Sequence, residues 1–191
     1  MKEGHPNLLT IKSDISLLLA NLIWGVTFVT MKNLLENVPP LTILFWRFAI
    51  AATLLLLISL FSKWQKINWA GGIFLGISLF AGYLFQTWGL IYTTPARSAF
   101  ITGLSVILVP PLAFLLLRSS IDRFSIIGTI VSLLGLLFLT WQKGETKSLF
   151  LLGDFLTLLG AIAYALQIVL VEKFTQENES LTLATIEMET V

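Results

Sequence analysis

The chain contains no cysteine and one histidine, His5, which lies in a polar N-terminal stretch. No disulfide, thiolate nucleophile or cysteine-held metal can therefore form, and the redox compartment leaves no mark on the sequence. Charge is also scarce, at 12% of residues, where a soluble domain carries about a quarter. Twelve basic and eleven acidic side chains nearly cancel. That balance provides neither the basic stripe of a nucleic-acid binder nor an acidic tail, so nucleic acid is not an expected partner. Enzyme signatures are missing too. No HExxH, GxSxG or Walker sequence occurs, and no intramembrane carboxylate pair lies between Met1 and Val171. The chain is expected to be a non-enzyme without a cofactor.

What the chain does have is apolar surface, with 56% hydrophobic residues in a length of 191. A soluble globule of this size has too much surface to hide that fraction, so the expected surroundings are a lipid bilayer. Six charge-free runs stand out: Ile15 to Met31, Phe48 to Ser62, Ile67 to Ala96, Ser98 to Leu117, Phe124 to Gln142 and Phe155 to Val171. Most approach the roughly 20 residues a helix needs to cross about 30 Å of hydrocarbon. The second reaches that length only if extended back to Leu41 across Arg47, and the third ends in a connection, "YTTPAR". None alternates as a barrel strand would. The expected fold is an all-α polytopic membrane protein with about six transmembrane helices.

Lys2 and Lys12 precede the first run, as in a signal peptide. The run is too long, however, and no small-residue cleavage site follows it, so it reads as an uncleaved helix. With the N-terminus inside, the cytoplasmic side receives Lys2, Lys12, Lys63, Lys66, Arg118, Arg123 and Lys173, and the other side Lys32, Arg97, Lys143 and Lys147. This excess of basic residues predicts a cytoplasmic N-terminus. Trp64, Trp69 and Trp141 at run ends fit interfacial anchoring.

The chain also matches itself. At a lag of 140 residues Asp14, Leu18, Leu19, Val29, Leu41 and Thr42 fall on Asp154, Leu158, Leu159, Val169, Leu181 and Thr182, without a gap, and Trp24 falls on Tyr164. One repeat then holds five helices. Because five is odd, the second copy must enter the bilayer with opposite topology, which is the inverted-repeat plan of many secondary transporters. The expected domains are a cytoplasmic N-terminus (1–14), a complete first repeat (15–142), an external linker (143–153) and the start of a second repeat (154–191). On this arithmetic a whole protein would have ten helices and roughly 280 to 300 residues, so the chain reads as truncated and self-association becomes an expected partnership.

Four stretches carry a family resemblance: "LIWGVTFVTMK", "PPLTILFWRF", "GLIYTTPARSAFITGLSVILVPPL" and "GDFLTLLGAIAYALQIVLVEKF". In their order and spacing they resemble the EamA family of the drug/metabolite transporter superfamily. The resemblance implies ten helices in two inverted repeats and a substrate path between them. It also implies transport of small organic solutes such as amino acids, metabolites or drugs, of an export type and in a bacterial cytoplasmic membrane. Members commonly carry Glu in the loop after the fourth helix, whereas this loop reads "RSSIDR", with Asp122 the nearest acid. The contrasting expectation is a non-transporting membrane scaffold or an inactive truncated fragment.

The residues suggest a solute path without reference to the family. Arg47 lies inside an apolar run and must face protein or water, either as a structural hydrogen-bond donor or in substrate or proton coupling. Asn21, Gly25, Phe28 and Lys32 share one face of the first helix, and Trp24 adjoins it. Such a face suits a solute, although helix packing explains it equally. Ser98, Thr102, Ser105 and Val109 form a comparable stripe on the fourth helix. Tyr83 and Gln86 share a face of the third, where an amide turned to lipid would go unsatisfied. With Tyr164 these complete the candidate path. The lag also sets Lys32 on Glu172 and Arg47 on Glu187, two possible charge pairs across the path, with a solvated helix end as the alternative. Gly72 and Gly76 read as a close helix contact within the bundle, and Pro110 and Pro111 as a kink or, less simply, a break in the fourth helix.

Overall fold

In lipid every backbone N–H and C=O must find a partner within the protein, and helices meet that demand locally. The computed structural model describes residues 8–61, 69–118, 123–140, 148–176 and 180–191, and these form seven helices. They are α1 (Leu8–Leu34), α2 (Pro40–Ser59), α3 (Trp69–Tyr92), α4 (Pro95–Leu117), α5 (Arg123–Thr140), α6 (Ser148–Thr175) and α7 (Ser180–Thr190). Within the described residues each of the six apolar runs falls mainly on one helix. Among those residues four segments are long and apolar enough to cross a membrane: Pro40–Ser59, Trp69–Tyr92, Pro95–Leu117 and Leu151–Thr175. The described apolar stretches of α1 and α5, Leu18–Leu34 and Ile126–Gly135, are shorter. Lys63, Trp64, Lys66, Asp122, Trp141, Lys143 and Lys147 lie outside the described residues.

Two helix starts precede the boundaries expected from charge. α1 begins at Leu8 rather than 15, and α6 at Ser148 rather than 154. The reason is visible at Asp154, which lies inside α6 with its carboxylate paired to Arg97, so a charge need not end a helix. α2 runs back across Arg47 to Pro40, as its length required, with Pro at its first position where no amide hydrogen is missed. The "TTPAR" turn is equally explicable. Thr94 caps α4 by accepting from the Arg97 amide at 3.3 Å, and Pro95 opens the helix. α4 then continues through Pro110 and Pro111 as one helix, so the broken-helix alternative does not hold.

Helix directions follow from which residues meet. Gly89 approaches Gly153 while Gly82 approaches Gly160, so α3 and α6 run antiparallel. Gly72 meets Ile186 and Gly76 meets Thr190, which makes α7 parallel to α3. Trp24 packs on the Tyr164 ring that covers Gly82 while Lys32 reaches the last turn of α3, so α1 is also parallel to α3, whereas Arg47 reaching Tyr83 and Phe48 packing on Phe80 set α2 antiparallel to it. The pair α6–α7 therefore runs opposite to the pair α1–α2.

The core lies along α3 and α6. A Cβ built on Gly89 would stand 2.7 Å from the Gly153 carbonyl oxygen, and one on Gly153 would stand 2.8 Å from the Gly89 oxygen. At that distance backbones touch, and dispersion between them replaces the hydrophobic drive that lipid removes. Gly72 and Gly76 do for α7 what their spacing predicts, bringing it against α3.

Candidate functional site

A polar belt crosses the middle of this core. Arg47 of α2 donates from its guanidinium to the Tyr83 hydroxyl at 3.0 Å and lies 4.3 Å from the centre of that ring. Tyr83 packs edge to face on Tyr164 at 5.4 Å, and Tyr164 packs in the same way on Trp24 at 6.3 Å. The Tyr164 hydroxyl donates to Gln86 Oε1 at 3.1 Å, and Gln86 Nε2 donates to Thr102 Oγ1 at 2.9 Å. Each amide and hydroxyl thus has a partner where lipid offers none, as the buried Gln86 required. Four helices and both proposed repeats contribute to these bonds.

Next to the belt is a cavity of about 340 Å³, with Arg47, Tyr83, Gln167 and Glu187 on its walls. Glu187 is 6% exposed and accepts from Gln167 Nε2 at 2.8 Å. Arg47 and Glu187 share this cavity without making a direct ion pair, so it presents both signs of charge. On the other side of Arg47 a separate space of only about 10 Å³ lies among Phe28, Met31, Gln86 and Leu90, too little for a solute.

Past Leu90 the C-terminal ends of α1 and α3 and the N-terminal parts of α4 and α6 converge on a second polar cluster. Lys32 Nζ donates to the carbonyl oxygens of Leu90, Ile91 and Thr93 at 2.7, 2.9 and 3.0 Å. These acceptors close the C-terminus of α3, where a cation also meets the negative end of the helix dipole. Asp154 accepts from Thr93 Oγ1 at 2.8 Å and from Arg97 Nε at 3.3 Å, and forms an ion pair with the Arg97 guanidinium.

Of the sequence candidates, Trp24, Phe28, Arg47, Tyr83, Gln86, Thr102 and Tyr164 come together at the belt and its flank. Asn21 is exposed on α1. Ser98 is fully buried on α4, and its hydroxyl has no hydrogen-bond partner among the described residues. The Lys32–Glu172 pair is corrected. Lys32 is satisfied by the α3 carbonyls, whereas Glu172 is exposed on the last turns of α6. Asp154, near the Lys32 end, is eighteen positions from Glu172, or about 27 Å along the helix at 1.5 Å per residue. Arg47 and Glu187 do share a space, though not a bond. Sequence reasoning missed Thr93 and Asp154 as a cluster, because an ion pair between distant helices has no signature in spacing. The in-register Asp14 and Asp154 were the only hint.

Among the described residues no group of three or more His, Asp or Glu gathers to hold a metal. The model of the EamA-like transporter family matches residues 11–141. An uncharacterized transporter of Archaeoglobus fulgidus is 30% identical over 181 residues, covering 95% of this chain and 56% of that protein. The uncharacterized transporter YyaM of Bacillus subtilis is 30% identical over 175 residues, covering 86% and 57%. The uncharacterized transporter YetK of the same organism is 26% identical over 182, covering 90% and 54%. The chain thus spans about half the length of the curated relatives it matches. No solved structure matches it.

Proposed function

The chain belongs to the EamA-like transporter family, and from that premise we propose that it builds one wall and the centre of an alternating-access path for small organic solutes. In this reading it is an integral membrane chain with its N-terminus in the cytoplasm of a bacterial cell. Residues 15–142 form one repeat, and α6 and α7 open a second, inverted one. The resemblance favours export; the solutes are amino acids, metabolites or drugs.

One observation carries the reading. Positions 140 residues apart meet at mid-depth: Trp24 packs on Tyr164, and Arg47 and Glu187 line one cavity. A two-fold axis in the membrane plane brings equivalent residues together near the midplane and sends those near the surfaces to opposite ends. Lys32 and Glu172 lie at opposite ends, consistent with that rule. The opposed directions of α1–α2 and α6–α7 support it too. Such an axis is where a path that opens alternately to each side is expected, and Arg47 and Glu187 offer a polar solute both signs of charge there.

Proteoliposome counterflow of labelled amino acids and cationic dyes tests this, at protein densities that do and do not favour dimers. Arg47→Glu and Glu187→Arg are each expected to lower flux by about tenfold or more, and the double exchange to recover part of it. A double variant no better than the worse single one overturns the shared role of the two residues. Because the chain spans about half the length of its relatives, a second reading is a non-transporting scaffold, and absence of flux at every density supports it.

A further inference from the structure

The end of the bundle that carries Lys32, Arg97 and Asp154 is fastened in two different ways. Lys32 joins α1 to the carbonyls that end α3, two helices of one proposed repeat. Asp154 instead joins α6, the first helix of the other proposed repeat, to Thr93 and Arg97 at the α3–α4 turn. Only the second fastening crosses between repeats.

Three features make that fastening suited to being undone. Beneath it Gly89 and Gly153 meet backbone to backbone, a close contact without bulky interlocking side chains, over which α6 can shift once the polar contacts above it part. The Arg97 and Asp154 side chains retain 18% and 19% exposure. Water can therefore reach each on separation, unlike a fully buried pair whose parting leaves bare charges. Ser98, immediately after Arg97, turns a hydroxyl into the packed interior, where it has no partner among the described residues. An orphaned hydroxyl gains a hydrogen bond when water arrives, which lowers the cost of opening the packing around it.

We propose that Asp154, Thr93 and Arg97 form a latch that holds this end of the path shut, and that its release frees α6 from the α3–α4 turn and admits water to Ser98. The latch rests on the alternating-access reading. It gives the two polar clusters separate tasks: the belt around Arg47 meets the solute, and the Asp154 cluster sets which end is closed. The small space lined by Phe28 and Leu90 lies between them.

The native chain has no cysteine, so one introduced thiol reports alone. In nanodiscs, Ser98→Cys in the otherwise native chain is expected to react slowly with N-ethylmaleimide. Adding Asp154→Asn, or Arg97→Gln as the second variant, should raise that rate by about tenfold or more, since each removes a charge-assisted contact. Exchanging the charges, Arg97→Asp with Asp154→Arg, should bring it back towards the parent rate. Ser78→Cys, a near-isosteric buried site towards the other end of α3, serves as the control and should not respond. An unchanged rate at position 98, an equal rise at position 78, or a charge exchange that restores nothing overturns the latch. Labelling needs no solute, so its result is read separately from the flux assay.

Discussion

The seam between α3 and α6 and the face formed by α1 and α2 solve the same problem in opposite ways. Along the seam Gly82, Gly89, Gly153 and Gly160 let backbones touch, and the Tyr164 hydroxyl donates to Gln86 across it. On the α1–α2 face Leu22, Ile23 and Val26 are about two-thirds exposed, and a groove of about 620 Å³ separates the helices. In water the second region would be the unstable one. In lipid a large apolar side chain loses nothing by facing outward, whereas an unpaired amide loses several kcal/mol, so packing and polar bonds concentrate where backbones can approach. Stability and the polar chemistry therefore share a seam.

The sharpest way to break this contrast is to fill the seam. Gly89→Leu would drive a side chain into the Gly153 backbone, and a loss of about 3 kcal/mol or more, up to failure to fold, is expected in denaturant titration of the chain in detergent micelles. Lys32→Met comes next. It leaves three carbonyls at the end of α3 without their cation, and a loss of about 1–2 kcal/mol is expected, with faster amide exchange confined to the last turn of α3. Tyr164→Phe removes one hydroxyl from the belt and should cost about 0.6–1 kcal/mol, in line with single hydrogen bonds between membrane helices. The smallest effect belongs to the open region. Nothing lies within 4 Å of a Cβ built on Gly25, so Gly25→Ala should be neutral or stabilise by less than about 1 kcal/mol. If Gly25→Ala proves as damaging as Gly89→Leu, the two regions are not packed differently.

Several contacts of the polar belt were legible, for a physical reason in each case. Arg47 and Gln86 were marked because polar groups inside apolar runs must be satisfied by protein, and both are. Gly72 and Gly76 were marked because four-residue spacing puts them on one face. The glycines of the main seam repeat every seven residues on two separate helices, and neither pair means anything until the helices are laid antiparallel. The Lys32–Glu172 pairing fails because equivalence under a lag is not proximity. In the inverted-repeat arrangement proposed above an in-plane axis inverts depth, so only equivalent residues near the midplane come close.

From the sequence alone came the lipid surroundings, the helical class and the apolar stretches that the helices carry, because each depends on local composition and on hydrogen bonds made within one segment. The EamA resemblance was also readable there, since it rests on the order of short stretches. Only the tertiary structure decided that Lys32 closes α3, that Asp154 lies within α6 and holds Arg97, and that Arg47 faces a cavity shared with Glu187. Those outcomes depend on which helices are neighbours and in which direction each runs. Contacts between side chains some 60 to 140 residues apart are set by that arrangement, which no local pattern encodes.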